Sequence, residues 1–196
     1  MKMSVYIEDC FHWIGYHLVT VLLEEGWIVY GRDRLDAPNR EHLSMFVGRN
    51  SHFSLLDDEE GKQMHPRIEI SDDQNGISIT TTEGEKIVIN CSPLIGEWMP
   101  MTATHMLNGD KLQPWKALDL KEIIEVSAYA EILKQCLQAT RVPRKINIVS
   151  RLSEKAGEKN PNMIVSIDQK DSKEALRSLK EHFNRFKPLY QEVAER

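Results

Sequence analysis

Cysteine is scarce in this chain of 196 residues: three in all, at Cys10, Cys91 and Cys136. Thiols so few and so widely spaced argue against a disulfide framework and for a reducing compartment, the cytoplasm. Long apolar runs are missing too. No stretch approaches the roughly 18–20 residues that span a bilayer. The opening MKMSVYIEDC has neither an apolar h-region nor a small-residue cleavage site, so no signal peptide is expected. Nor is there an excess of positive charge. Lys and Arg number 25 against 30 Asp and Glu, interspersed, for a net charge of −5, with no basic stripe for nucleic acid and no polybasic segment for an anionic membrane. Internal repeats and low-complexity tracts are absent.

What is present suits one globular domain over residues 1–196, with 41% hydrophobic and 28% charged residues. Ser4–Ile7 is a short β-rich run. Ile14, Leu18, Val21 and Leu22 then recur at helical spacing, and Gly26 stands where a helix C-cap belongs. Trp27–Gly31 reads as a second strand, Arg40–Val47 as a helix stopped by Gly48, and Phe53–Asp57 as a third strand. This alternation predicts a Rossmann-like α/β fold: a doubly wound, mostly parallel sheet with helices on both faces.

The middle of the chain is less regular. Arg67–Ile70, Ile77–Thr82 and Lys86–Asn90 are strands separated by the turns DDQNG and EGE. They form either a small meander, or an extra β-hairpin over 66–85 at the sheet edge beside a central strand KIVINC. The second reading is preferred here, because IVIN looks apolar on both faces. The loop Pro93–Trp115, with Trp98, Met99, Met101, Met106 and Trp115, is either an adaptable contact surface or a cover for the open end of the sheet. A long helix is predicted over about Asp119–Thr140, a fifth parallel strand over Lys145–Ser150, and a polar loop after it. Asp171 with Glu174 resembles a capping box, opening a helix with Leu176, Leu179, Phe183 and Phe186 on one stripe before Pro188.

The stretch from Val5 to Gly26, VYIEDCFHWIGYHLVTVLLEEG, has the shape of a dinucleotide-binding turn. Such a turn uses three glycines: for the tight bend, for backbone approach to the pyrophosphate, and for helix–strand packing. Here Asp9 replaces the first and His12 the second, and Gly15 keeps the third. A carboxylate at that point repels a pyrophosphate, since two unit charges about 4 Å apart interact by about 4 kcal/mol at an effective dielectric near 20. Asp33 stands at the ~20-residue offset of a ribose-binding acid, and Asp57 or Asp58 where an adenine would be met. After a buried strand, Asp33 reads more readily as a loop or cap acid than as a ribose ligand. Cys10, His12 and His17 lack a familiar ligand spacing, so no metal site is expected.

These residues resemble the NAD-dependent epimerase/dehydratase family of extended short-chain dehydrogenase/reductases, which opens V-x-V-T-G-x-x-G-F-I-G-x-H-L. Val5–Leu18 is the matching stretch, with Trp13-Ile14-Gly15-Tyr16-His17-Leu18 its best-kept part, and Val29–Asp57 follows the family's second strand, acid, helix and third strand. Later matches are weaker but in order. IVINCSP resembles the fourth strand, the stretch from Glu125 the helix leading to the strand of the catalytic Ser, and DQKDSKEALRSL the Tyr-x-x-Ser-Lys helix. The likeness ends where the family's substrate-binding part would begin, so no separate substrate domain is expected.

The resemblance implies NAD(P) as cofactor and a Tyr–Lys pair for proton transfer, the Lys lowering the Tyr pKa. On the matched positions Lys173 keeps the Lys, but Gln169 stands in place of the Tyr, and an amide cannot do that work. No Tyr-x-x-x-Lys occurs anywhere in the chain. Ser150 keeps the serine at the end of the fifth strand, and Glu125 replaces the helix Asn. The catalytic set is thus a remnant of Ser150, Gln169 and Lys173, and the cofactor set a remnant of Gly15, Asp33 and Asp57, with no cofactor expected. In the family the two late helices form a dimer interface, which implies a homodimer through 119–140 and 172–187. The reading is a catalytically inactive relative acting as an interaction or regulatory protein. The alternatives are an adenosine-type binding module and an NAD(P)-dependent epimerase or reductase with a non-standard site.

Overall fold

The structure, a computed structural model, describes residues 3–61, 63–71, 76–108, 111–114, 119, 121–152, 163–167 and 172–190. Ser4–Glu8 is β1, with Val5, Tyr6 and Ile7 buried. Helix α1 (Trp13–Glu24) buries Ile14, Leu18, Val19 and Leu22 on one face. Gly26 ends it at φ +78, its N–H donating to the Leu23 carbonyl while Trp27 N–H donates to Leu22. That pair of bonds is a Schellman motif, and the left-handed residue at its centre favours glycine. β2 (Ile28–Arg32), α2 (Pro38–Val47), β3 (Phe53–Leu55) and a short α3 (Asp58–Gly61) follow. Then come β4 (Arg67–Ser71), β5 (Gly76–Thr80), β6 (Lys86–Cys91) and β7 (Leu94–Ile95). A hairpin of β8 (His105–Asn108) and β9 (Lys111–Pro114) precedes β10 (Ile124–Glu125). The chain closes with α4 (Val126–Gln138), β11 (Lys145–Ser150), β12 (Met163–Ile167), α5 (Ser172–Phe186) and a 3₁₀ turn, Lys187–Leu189.

Eight strands form one sheet in the order β12-β11-β6-β5-β4-β1-β2-β3. Every neighbouring pair is parallel except the two made by β5. The architecture is therefore Rossmann-like α/β with a mostly parallel sheet, and Lys145–Ser150 is a parallel strand within it.

Three expectations need correction. The segment 66–85 is not an edge hairpin: β4 and β5 lie in the middle of the sheet, between β1 and β6, so the three strands are a meander built into its centre. Alternating strands such as RIEI and ISIT report one covered face, which holds equally at the centre and at the edge. The strand KIVINC is covered on one face only, since Val88 is 38% exposed. The helix foreseen from Asp119 begins only at Val126, because Ile124 and Glu125 pair with Leu94 and Ile95 as a short parallel strand. β12, a further parallel strand on the far edge, has no counterpart in the sequence reading.

The register sorts side chains sharply between the two faces. Val5, Ile7, Val29, Phe53, Ile68, Ile77, Ile79, Ile87, Ile89, Ile146 and Ile148 share one face, and all are buried. On the opposite face Glu8 lies between Arg32 and Arg67, Arg67 pairs with Glu69 at 3.0 Å, and Lys86 reaches Glu69 at 3.8 Å. α1 and α4 pack on one another over the apolar face, with Gly15 against Ile70 and Tyr129 against Cys91. The polar face has the short α3, whose Gly61 lies against the Tyr6 ring. Helices thus lie on both faces, but unequally. The crossovers β1–α1–β2 and β6–α4–β11 run in opposite directions along the sheet. With α1 and α4 on the same face they have opposite hands, a departure from the rule that parallel crossovers are right-handed.

The apolar stripes of the two late helices face this chain's own interior. Val126, Tyr129, Ala130 and Leu133 of α4 are buried, as are Leu179 and Phe183 of α5.

A central β5 has an energetic signature. Ile79→Ala is expected to cost about 3 kcal/mol in urea unfolding, as a core truncation does. Val88→Ala, on the open face, should cost no more than about 0.5 kcal/mol. A small cost for both would return the hairpin to the sheet edge.

Candidate functional site

The turn after β1 is built from its own side chains. Asp9, in the position of the first fingerprint glycine, has the left-handed φ of +50 that a glycine would adopt without strain. Its carbonyl accepts the His12 N–H at 2.8 Å, and the Cys10 N–H donates to the Arg32 carbonyl at 3.0 Å. Cys10 and Phe11 turn down into the core. There the Phe11 ring meets Phe53 at 5.7 Å, and Cys10 Sγ sits so close to Gly31 that a Cβ there would lie 2.6 Å away. Gly15 does what the pattern implies. A Cβ on it would be 2.6 Å from the Asp9 carbonyl oxygen and 2.8 Å from Ile70 Cδ1, so helix and sheet meet only because that atom is missing.

Asp33 is the centre of this arrangement. Its side chain has no exposed surface. One oxygen accepts the Phe11 N–H at 2.8 Å; the other accepts the Leu35 N–H at 3.3 Å and an Arg40 guanidinium N–H at 2.8 Å. Arg40 also lies 3.7 Å from Asp9 and 3.9 Å from Asp36. Burial works against the Arg40 charge, but the Asp33 hydrogen bond and the three carboxylates outweigh it and hold its pKa above the ordinary value. The acid in the ribose position is thus spent on closing the turn, and a turn N–H is spent on the acid.

The remaining positions are dispersed. Asp57 accepts the Glu60 N–H at 3.2 Å, capping α3. Ser150 is fully buried at the end of β11 and accepts the Leu152 N–H at 3.3 Å. Lys173 is exposed in the first turn of α5, a helix that follows β12 rather than β11. Gln169, Asp171 and Trp115 lie outside the described residues. Glu125 is the N-cap residue of α4 without a side-chain capping bond. Among the described residues no group of three His, Cys, Asp or Glu is placed to hold a metal ion.

A second constellation had no counterpart in the sequence reading. Trp98, at φ +66, donates its N–H to the Tyr190 hydroxyl at 3.1 Å, and that hydroxyl is 2.7 Å from His182 Nδ1. The Trp98 ring stacks on Tyr190 and meets His182 edge-on, with centroids 5.6 and 4.6 Å apart. Burial pushes His182 down to about 4, helped by His17, Arg185 and His42, despite the Glu97 carboxylate 3.6 Å away. His17, whose Nε2 is 3.3 Å from the Glu97 carbonyl, is likewise pushed down to about 4 by burial. Both shifts favour the neutral ring. Beside them a cavity of about 460 Å³ opens between His17, Glu97, Glu125 and Glu174. Met99, Met101 and Met106 are buried, so this part of the loop is packed into the core rather than offered as a contact surface. The signal for the cluster lay in single aromatic and histidine residues far apart in sequence, which no periodicity connects.

No protein-family model matches the chain, and no curated protein matches it. Two solved structures are similar to it in part. The yeast methylglyoxal/isovaleraldehyde reductase, complexed with NADPH, aligns at 33% identity over 28% of this chain and 16% of its own, with a TM-score of 0.24. This chain therefore spans about a sixth of that reductase. The UDP-N-acetylglucosamine 4-epimerase of Bacillus cereus aligns at 9% identity over 95% of this chain and 100% of its own, with a TM-score of 0.39. These two, among the solved structures that match, are a reductase and an epimerase. The Rossmann-like assignment rests on strand order and direction, since similarity this low carries no further weight.

The Asp33 clasp can be tested without any ligand. Asp33→Ala leaves Arg40 short of its main partner, so urea unfolding should show a loss of about 3 kcal/mol. A carboxylate kept for a ribose would change the ligand-free stability by no more than about 0.5 kcal/mol.

Proposed function

We propose that this chain is a Rossmann-like protein that has lost dinucleotide chemistry and acts through interactions with other proteins. One observation carries the reading: the ribose-position acid Asp33 is buried and saturated by Phe11, Leu35 and Arg40, closing the turn that would receive a pyrophosphate. Asp9 adds a carboxylate, 45% exposed, at the place where the phosphates would approach. The missing Tyr-x-x-x-Lys removes the proton donor that the family resemblance would require. The adenosine alternative gains nothing from the geometry, because both of its carboxylates, Asp33 and Asp57, accept hydrogen bonds from their own chain.

Calorimetric titration with NAD and NADP is the test, with an Asp9→Gly, His12→Gly double variant alongside. Wild type should show no binding tighter than about 1 mM, and neither should the double variant, which keeps the Asp33 clasp. Wild-type binding below about 10 μM, or hydride exchange with a nicotinamide cofactor in an absorbance assay, would overturn the reading.

A further inference from the structure

Met45 and Phe46 on α2 are each 62% exposed, the two most exposed large apolar side chains on any helix among the described residues. They are not scattered. The His42 ring lies 4.9 Å from Phe46 and 5.9 Å from the half-buried Phe186 at the end of α5, and the 3₁₀ turn with Leu189 packs against α2. A continuous apolar face therefore runs from α2 to the C-terminal end of α5. Isolated exposed apolar residues need no explanation, but a contiguous aromatic patch marks a contact surface.

Its rim is basic. Arg49 lies three residues beyond Phe46, the Arg185 guanidinium sits over the Phe186 ring at 5.2 Å, and Lys187 follows it. All three are exposed. None of them forms an ion pair among the described residues. In a chain of net charge −5, three exposed cations stand beside this apolar patch. Two exposed acids lie nearby, Glu41 in the first turn of α2 and Glu181 one turn before Arg185 on α5, so the cations outnumber them three to two.

We propose that this face, α2 with the end of α5, docks an acidic segment of a partner protein that also carries apolar side chains. The apolar residues would cover Met45 and Phe46, with the adaptable Met45 thioether fitting variable shapes, and the carboxylates would meet Arg49, Arg185 and Lys187. A second copy of this chain fits poorly. A two-fold contact sets each patch against itself and brings the three cations towards their own copies. The inference rests on the reading of this chain as an interaction protein, and names the chemistry of its partner.

The experiment is fluorescence anisotropy of the full chain with a fluorescein-labelled twelve-residue peptide that alternates Glu with Phe and Leu. Its Gln-for-Glu counterpart and vesicles of phosphatidylcholine with one-fifth phosphatidylserine serve as competing probes. Binding of the acidic peptide is expected, about tenfold weaker for the Gln peptide, for Phe46→Ser and for an Arg185→Ser, Lys187→Ser double variant. It should also weaken as salt is raised, because the rim charges are exposed. Both variants change exposed residues, and circular dichroism verifies that they fold. No binding at about 1 mM chain, equal binding by Phe46→Ser, or equal binding of the Gln peptide would overturn the proposal. Preferential binding to the vesicles, or self-association reversed by Phe46→Ser, would overturn it in favour of a membrane or a dimer. Nucleotide titration reads the turn and peptide titration reads the patch, so either reading can fail while the other is measured.

Discussion

A buried carboxylate has to be satisfied, and the way Asp33 is satisfied shapes the N-terminal half of this protein. Its partners come from three places: the turn after β1, its own loop, and the first turns of α2 through Arg40. A charge without exposed surface carries a desolvation cost that only several donors offset. Here the donors also tie the end of β1 to the end of β2 and to the start of α2. That anchoring fixes how α2 lies on the molecule. It bears on both ends of the functional account, since it closes the nucleotide turn and sets the helix that presents Met45 and Phe46.

The sheet shows a second constraint of the same kind. Its apolar face is a continuous row of Val and Ile side chains under α1 and α4, while the opposite face has charged residues paired across strands β2, β1, β4 and β6. Parallel sheets are ordinarily covered on both faces. The two helices instead meet over one face. The other face then has to be polar, and the alternation in RIEI, ISIT and KIVI is the sequence form of that requirement.

Much of this was legible in the sequence. The β1–α1–β2 unit, the C-cap at Gly26 and the packing role of Gly15 follow from local pattern, because each depends on residues within one supersecondary unit. Asp33 was legible as a residue of consequence, in two roles at once, and choosing between them needed the position of Arg40. The place of the meander in the sheet was not legible, since pairing order is a long-range property that one-face alternation leaves open. β12 is a five-residue run beyond a polar loop, too short for periodicity to mark. The Trp98–His182–Tyr190 cluster joins residues 92 apart in sequence, and only the folded chain brings them together.

The closed turn is tested most directly by the backbone amides of Cys10, Phe11 and His12 in a ¹H–¹⁵N correlation spectrum recorded with and without excess NADH. With Phe11 N–H bound to the Asp33 carboxylate, these three resonances should hold their positions as the nucleotide is added. A saturable shift of the Phe11 amide, with Cys10 and His12 moving on the same curve, would show that the turn receives a dinucleotide and would contradict the central claim.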